Sequence, residues 1–233
     1  VTRECRITAR SQSWLLQDGV MTRMCHVRLQ SRDLAPNLRR INHFSPLARG
    51  MVFLAAAAGS LPPLWDGEMA VTGPDLPLED FYAGCGMAEG WRLLEELAPA
   101  GDDLWQGRFD GMAQGIAPVG KSGYCSLLSA VDAILQAACR IMEETVPGAE
   151  LAGGRLLWPQ GWRLSGIGFI RFADAGLLCG ARMPWRIQLR RGWDDERLQR
   201  YDAQVVDADG RVLLTLHQME FEKDVRPQEG AGA

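Results

Sequence analysis

One segment limits what this chain can fold into more than any other. Between Ser126 and Glu144, apolar side chains recur at Leu127, Val131, Ile134, Ala138 and Ile141. That is the spacing of one helix face, and Leu128, Leu135 and Met142 widen it. Pro147-Gly148 ends the run. A sector this broad must be covered by other elements on most sides, so an enclosed helix is predicted rather than a surface one. The segments after it switch to a period of two. Trp185, Ile187 and Leu189 alternate with Arg186, Gln188 and Arg190, and Tyr201, Ala203 and Val205 alternate with Asp202 and Gln204. Asp209-Gly210 is a hairpin turn leading into a strand over Val212–Phe221. Ile167–Phe172 and Leu177–Arg182 flank another turn at Asp174-Ala175-Gly176. One enclosed helix beside four or more antiparallel strands belongs to the α+β class.

The first part of the chain also reads as strand. Cys5–Ala9 and Met24–Leu29 alternate on either side of Gln17-Asp18-Gly19, and a third strand is expected within Ile41–Leu54. A stretch rich in Ala, Gly and Pro follows, punctuated by Pro62-Pro63, Gly73-Pro74 and Pro77, and reads as a linker. Leu78–Leu97 is expected to be helical, with Trp91, Leu93, Leu94 and Leu97 on its apolar side, although Gly84, Gly86 and Gly90 weaken its first half. Leu104–Phe109 is a short strand, and a glycine-containing loop spans Gly111–Gly123. The expected division is 1–58, 59–77 (linker), 78–224 and a flexible tail over 225–233.

Several function classes fall away on charge and composition. A formal net charge of −4 argues against a general nucleic-acid binder. The longest apolar run, Met51–Ala58, is about half the roughly 18 residues a membrane span needs. The chain opens Val1-Thr2-Arg3-Glu4, with neither an initiator Met nor a secretory signal, as expected of a cytoplasmic piece cut from a longer polypeptide. Its six cysteines (Cys5, Cys25, Cys85, Cys125, Cys139 and Cys179) form no C-x-x-C pair and read as reduced thiols. The three histidines, His26, His43 and His217, lack the spacing of metal ligands and read as structural or surface residues.

Three stretches in order resemble the dehydratase domains of polyketide synthases. Asp80-Phe81-Tyr82 through Gly90-Trp91-Arg92-Leu93-Leu94-Glu95-Glu96-Leu97 is similar to the helix that opens the family's second hot dog. Asp132-Ala133-Ile134-Leu135-Gln136 resembles the family's Asp-Ala-Ala-Leu-Gln. Leu157-Trp158-Pro159 to Phe172 is similar to the segment after the hot dog helix, and the closing hairpin Tyr201–Phe221 also fits. The resemblance implies an incomplete double hot dog: the last strands of a first hot dog up to residue 58, then a complete C-terminal one in which a long helix is wrapped by a curled antiparallel sheet. It further implies a dehydratase-type domain of a polyketide or polyunsaturated fatty-acid synthase, removing water from 3-hydroxyacyl chains carried on the phosphopantetheine of an acyl carrier protein. Expected partners are that carrier, the other domains of a synthase and, in a homodimer, a second copy of the chain. Neither membrane nor nucleic acid is implied, and no metal or redox cofactor is needed.

This chain departs from the family at two places. Leu127 and Leu128 stand where the family has His-Pro, and Met87-Ala88-Glu89 where it has Tyr-Gly-Pro. No segment matches the motif around the family's catalytic histidine, which lies early in the first hot dog. Only Asp132 and Gln136 carry over. Dehydration needs a base for the α-proton and an acid for the departing β-hydroxyl. The resemblance assigns the acid to Asp132, whose apolar neighbours Leu127, Leu128, Val131 and Leu135 would line the acyl groove and raise its pKa. Gln136, one turn on, would hold the carboxyl. Two plainer readings stand beside this one. Ser129, Asp132, Gln136, Arg140 and Glu143 also form the stripe expected of a solvated helix face. The missing histidine also suits a non-catalytic module that binds acyl chains or scaffolds a synthase, or another tethered-acyl reaction such as a double-bond shift, cyclisation or product templating. Arg182, Arg186, Arg190, Arg191, Arg197 and Arg200 are either a docking patch for an acidic carrier or the exposed faces of strands.

Overall fold

A computed structural model describes residues 2–17, 20–34, 45–55, 60–65, 69–109, 124–146, 161–173 and 184–223. The turn at Asp174–Gly176, the strand expected over Leu177–Arg182, the loop at 111–123, Leu157-Trp158-Pro159 and the tail lie outside them. The chain forms two compact units, Val1–Ala58 and Gly59–Ala233.

The first unit is a three-stranded antiparallel sheet in the order β1 (Thr2–Gln17), β2 (Val20–Leu34), β3 (Ser45–Ala55). Its β1–β2 hairpin pairs Gln17 with Val20; Asp18 and Gly19 of the expected turn lie outside the described residues. In β2, half-buried Val27 and Leu29 alternate with exposed His26 and Arg28, the period-two pattern of a one-sided sheet. No helix occurs among the described residues of this unit.

The second unit holds the hot dog. Among the described residues, six antiparallel strands lie in the order β4 (Glu96–Gly101), β5 (Leu104–Phe109), β7 (Trp185–Asp194), β8 (Leu198–Val206), β9 (Val212–Lys223), β6 (Trp162–Phe172). The long helix α2 (Tyr124–Thr145) packs on β5, β7 and β8. Its residues Ala130, Ala133, Ile134, Ala137, Ala138, Ile141 and Met142 lose all contact with water. They meet Trp105, Phe109, Trp185, Ile187, Leu189, Ala203 and Val205 in one core. The hairpin turn between β8 and β9 lies where Asp209-Gly210 placed it, with Gly210 at φ 81°.

The helix expected over Leu78–Leu97 is mostly absent. Helix α1 stops at Gly84 (Leu78–Gly84), a single 3-10 turn follows at Glu89–Trp91, and by Glu96 the chain is strand β4. Gly86 takes φ 62°, and its N–H and that of Met87 close back on the carbonyls of Ala83 and Tyr82. The glycines that lowered the helical pattern thus end the helix outright. Strand β4 can carry Pro99 because it is an edge strand. Its open side is used by the preceding segment, whose Thr72 and Leu76 N–H groups donate to the carbonyls of Pro99 and Leu97. Upstream, Leu61 bridges to Val212 and the Leu64 N–H donates to Gln204 Oε1 at 2.8 Å. The side chain of Gln204 begins an amide row that crosses three strands in register: Gln204 Nε2 donates to Gln188 Oε1 at 2.7 Å, and Gln188 Nε2 donates to Gln106 Oε1 at 3.2 Å.

Candidate active site

The polar stripe of α2 is not a solvated face. Ser129, Gln136 and Arg140 on it are buried. The stripe lies against the chain between Pro77 and Leu94, which α1 and the 3-10 turn fold back over it. Arg140 Nε donates to the carbonyl of Pro77 at 3.0 Å, and its other nitrogens face Glu143 at 3.4 Å and Glu144 at 3.0 Å.

Gln136 is fully buried, and all four of its hydrogen-bonding positions are filled. Its Oε1 accepts from the Leu93 N–H at 3.2 Å and from the Tyr82 hydroxyl at 3.1 Å. Its Nε2 donates to the Trp91 carbonyl at 2.9 Å and to Asp132 Oδ2 at 3.2 Å. A backbone N–H on one side and a backbone carbonyl on the other allow the amide only one orientation.

Asp132, one turn earlier, is half-buried. Burial pushes its carboxyl above the usual carboxylate range, and the bond from Gln136 pulls the other way without cancelling the shift. Ser129, a turn before Asp132 on the same stripe, is buried and its hydroxyl has no hydrogen-bond partner among the described residues. Of the predicted groove residues, Val131 and Leu135 are half-buried on the flank of the core. Leu127 and Leu128 lie on α2, with side chains outside the described residues.

Tyr82 belongs to this site, and the residue spacing did not single it out. Its hydroxyl accepts from the Leu94 N–H at 2.9 Å and lies 3.2 Å from the Leu94 carbonyl. Burial drives its pKa up to about 12, against the lowering effect of the Leu94 and Leu93 backbone and of Arg92. Tyr82 reaches Gln136 only because α1 breaks at Gly84–Gly86 and returns Leu93 and Leu94 past the same side chain. Read as one long helix, the segment hides that contact.

His217 stacks on exposed Phe169 with ring centroids 4.1 Å apart, and Asp202, Arg171 and Arg190 are the charges that act on it. Burial lowers its pKa, Asp202 raises it, and the two arginines lower it further. His26 is exposed on β2 of the first unit, and His43 lies outside the described residues. Cys85 and Cys139 are buried free thiols, and burial drives Cys85 up to about 11 and Cys139 well above the ordinary thiol value. At neutral pH both are protonated and unreactive. Among the described residues, no three His, Cys, Asp or Glu side chains gather as metal ligands would, and no helix is long and apolar enough to cross a membrane.

Three of the six arginines of the late strands face acids. Arg190 faces Asp202 at 3.5 Å, Arg191 Nε donates to Asp103 at 2.8 Å, and Arg200 Nε donates to Glu220 at 3.0 Å. These are cross-strand or strand-to-turn pairs of an exposed sheet face. Arg182 lies outside the described residues.

No protein-family model and no curated protein sequence matches this chain. Solved structures do. GphF Dehydratase 1 superposes with a TM-score of 0.57 at 15% identity, covering 92% of this chain and 73% of that one. The dehydratase domain of RzxB from Pseudomonas fluorescens gives 0.56 at 15% identity, covering 94% and 76%. The dehydratase domain from the CurJ module of the curacin polyketide synthase gives 0.57 at 12% identity, covering 88% and 67%. The chain has the fold of polyketide synthase dehydratase domains.

Proposed function

We propose that this chain is a dehydratase-type domain of a polyketide or polyunsaturated fatty-acid synthase, acting in the cytoplasm on 3-hydroxyacyl chains tethered to an acyl carrier protein. The observation that carries the reading is Asp132: a half-buried carboxyl on the enclosed helix, raised in pKa by burial and held at one oxygen by Gln136. The Gln136 bond occupies Oδ2 and leaves Oδ1 to carry the transferable proton. That proton goes to the β-hydroxyl, which departs as water while a base takes the α-proton. The base is assigned to a histidine of another segment of the synthase, since His217 is stacked on Phe169. No metal or redox step is needed.

The test is to incubate the chain with a 3-hydroxyacyl carrier-protein substrate and follow water loss by mass spectrometry. Alone it is expected to bind the acyl chain and turn over little. Supplied with a histidine-bearing first hot dog it should dehydrate, and Asp132→Asn should then slow the reaction by about 10² to 10⁴. Full activity of Asp132→Asn would sink the proposal. Efficient turnover by the chain alone, abolished in Asp132→Asn, would mean that another residue is the base, with His43 and His217 the first to mutate. A second reading, a non-catalytic acyl-binding module, is favoured by Leu127 and Leu128 at the His-Pro positions. It predicts acyl binding without turnover even when the histidine is supplied.

A further inference from the structure

Tyr82 is a buried phenol that the proposed chemistry does not use, yet it sits two hydrogen bonds from the reacting carboxyl. Its hydroxyl has one proton. The Leu94 N–H fills one of its lone pairs at 2.9 Å, and the proton lies between Gln136 Oε1 at 3.1 Å and the Leu94 carbonyl at 3.2 Å. Gln136 Oε1 is buried and has a second acceptor position beside the one that Leu93 fills, so it draws that proton. Donation to Oε1 polarises the amide and strengthens donation from its other end. That other end is Nε2, which faces Asp132 Oδ2.

We propose that Tyr82 is a positioning residue: its hydroxyl, anchored by Leu94, fixes and polarises the Gln136 amide so that the amide N–H stays on Asp132 and leaves the second carboxyl oxygen free. The chain of bonds runs Leu94 N–H to Tyr82, Tyr82 to Gln136 and Gln136 to Asp132. It joins the backbone just before β4 to α2 through the side chains of Tyr82 and Gln136. Because burial holds the phenol protonated up to about pH 12, Tyr82 keeps its donor at any pH where Asp132 titrates. The Phe81 ring, 5.3 Å from that of Tyr82 and tilted by 57°, keeps the phenol in place. This inference rests on the reading of Asp132 as the acid, and it deepens that reading by naming what sets the strength and direction of the acid.

The experiment is a carboxyl NMR titration of the whole chain carrying ¹³C-labelled aspartate, with Asp132→Asn identifying the resonance. Tyr82→Phe removes the donor at constant shape, and 3-fluorotyrosine at position 82 makes it a stronger donor. Tyr82→Phe is expected to raise the titration midpoint of Asp132 by about 0.3 units, and the fluorinated phenol to lower it. Opposite shifts from the two variants support the proposal. A midpoint that moves with neither overturns it, as does movement in the same direction with both, which a loosened fold would produce. If Tyr82→Phe does not fold, the fluorinated chain carries the test alone, by a lowered or an unmoved midpoint. A wild-type Asp132 that titrates in the ordinary carboxylate range near pH 4 would instead overturn the acid reading, while the two shifts would still decide the role of Tyr82.

Discussion

A buried and a half-buried aspartate in this molecule are pushed in opposite directions. Asp207, at the turn between β8 and β9, has a side chain with no exposed surface. Its Oδ1 accepts from the N–H groups of Asp209 and Arg211, both at 2.9 Å, and its Oδ2 accepts from the Arg211 guanidinium at 2.8 and 2.6 Å. Burial alone would raise it, but the Arg211 side chain and the two backbone N–H groups outweigh that and hold it below the usual carboxylate range. Asp132 has one neutral donor and is raised. The number and charge of the donors decide which way a carboxyl removed from water goes. Four bonds, two of them from a cation, make a turn. One bond from an amide leaves a carboxyl that gives up its proton less readily than an ordinary one.

That contrast can be broken from either end. The largest effect is expected at Gln136, where replacement by Leu strands the Leu93 N–H, the Trp91 carbonyl and the Tyr82 hydroxyl in a dry site. The loss should be about 3 kcal/mol, read from urea unfolding. At the other end, Asp207→Ala removes the acceptor for four bonds. Part of the deficit is made good by water on the exposed turn, so the expected loss is about 2 kcal/mol in the same measurement. Asp132→Asn should do the reverse and stabilise the chain at pH 7 by about 1 kcal/mol, because it removes a carboxylate held in an unfavourable site while keeping an oxygen for Gln136. An Asp132→Asn chain less stable than wild type would mean that the carboxyl is well solvated.

The smallest effect is in the pH profile of stability, and its sign differs between the two residues. The folded chain keeps a proton on Asp132 at pH values where the unfolded chain has lost it. Stability should therefore fall as pH rises from the unfolded value near 4 through the raised folded value. For Asp207 the folded state gives up its proton first, so its contribution is complete above pH 4 and is lost only as the solution is acidified through the lowered folded value. Thermal unfolding between pH 3 and 7 should show Asp132→Asn flattening the upper part of that range and Asp207→Asn the lower part.

The enclosed helix and the late strands were legible because their patterns are local. The apolar sector around Ile134 and the alternation at Trp185–Leu189 each report their own burial. Asp132 and Gln136 were legible only through the resemblance to the dehydratase motif, since their spacing alone reads as a solvated stripe; in the structure Gln136 Nε2 lies 3.2 Å from Asp132 Oδ2. The rest depended on contacts distant in the chain. Nothing between Ser126 and Glu144 says whether Ser129, Gln136 and Arg140 meet water or the carbonyls of Pro77 and Trp91, and a polar stripe reads the same in both cases. Tyr82 was missed because the leucines after it suggested one helix. The propensity cost of three glycines was counted, but the positive φ of Gly86 was not foreseen.

The amide row Gln106–Gln188–Gln204 has a consequence for how this sheet avoids misfolding. Each of these residues sits one position from a core residue: Trp105, Leu189 and Ala203 are also matched across the same three strands. If β7 slipped by one residue against its neighbours, Gln188 would swing into the core and Leu189 out of it. The amides on either side would lose their partners at about 1 to 3 kcal/mol each. Apolar strands alone can glide over one another at little cost, whereas a line of amides that hydrogen-bond only in one alignment works as a vernier scale. It admits a single reading, so these three strands pair beside α2 in one register.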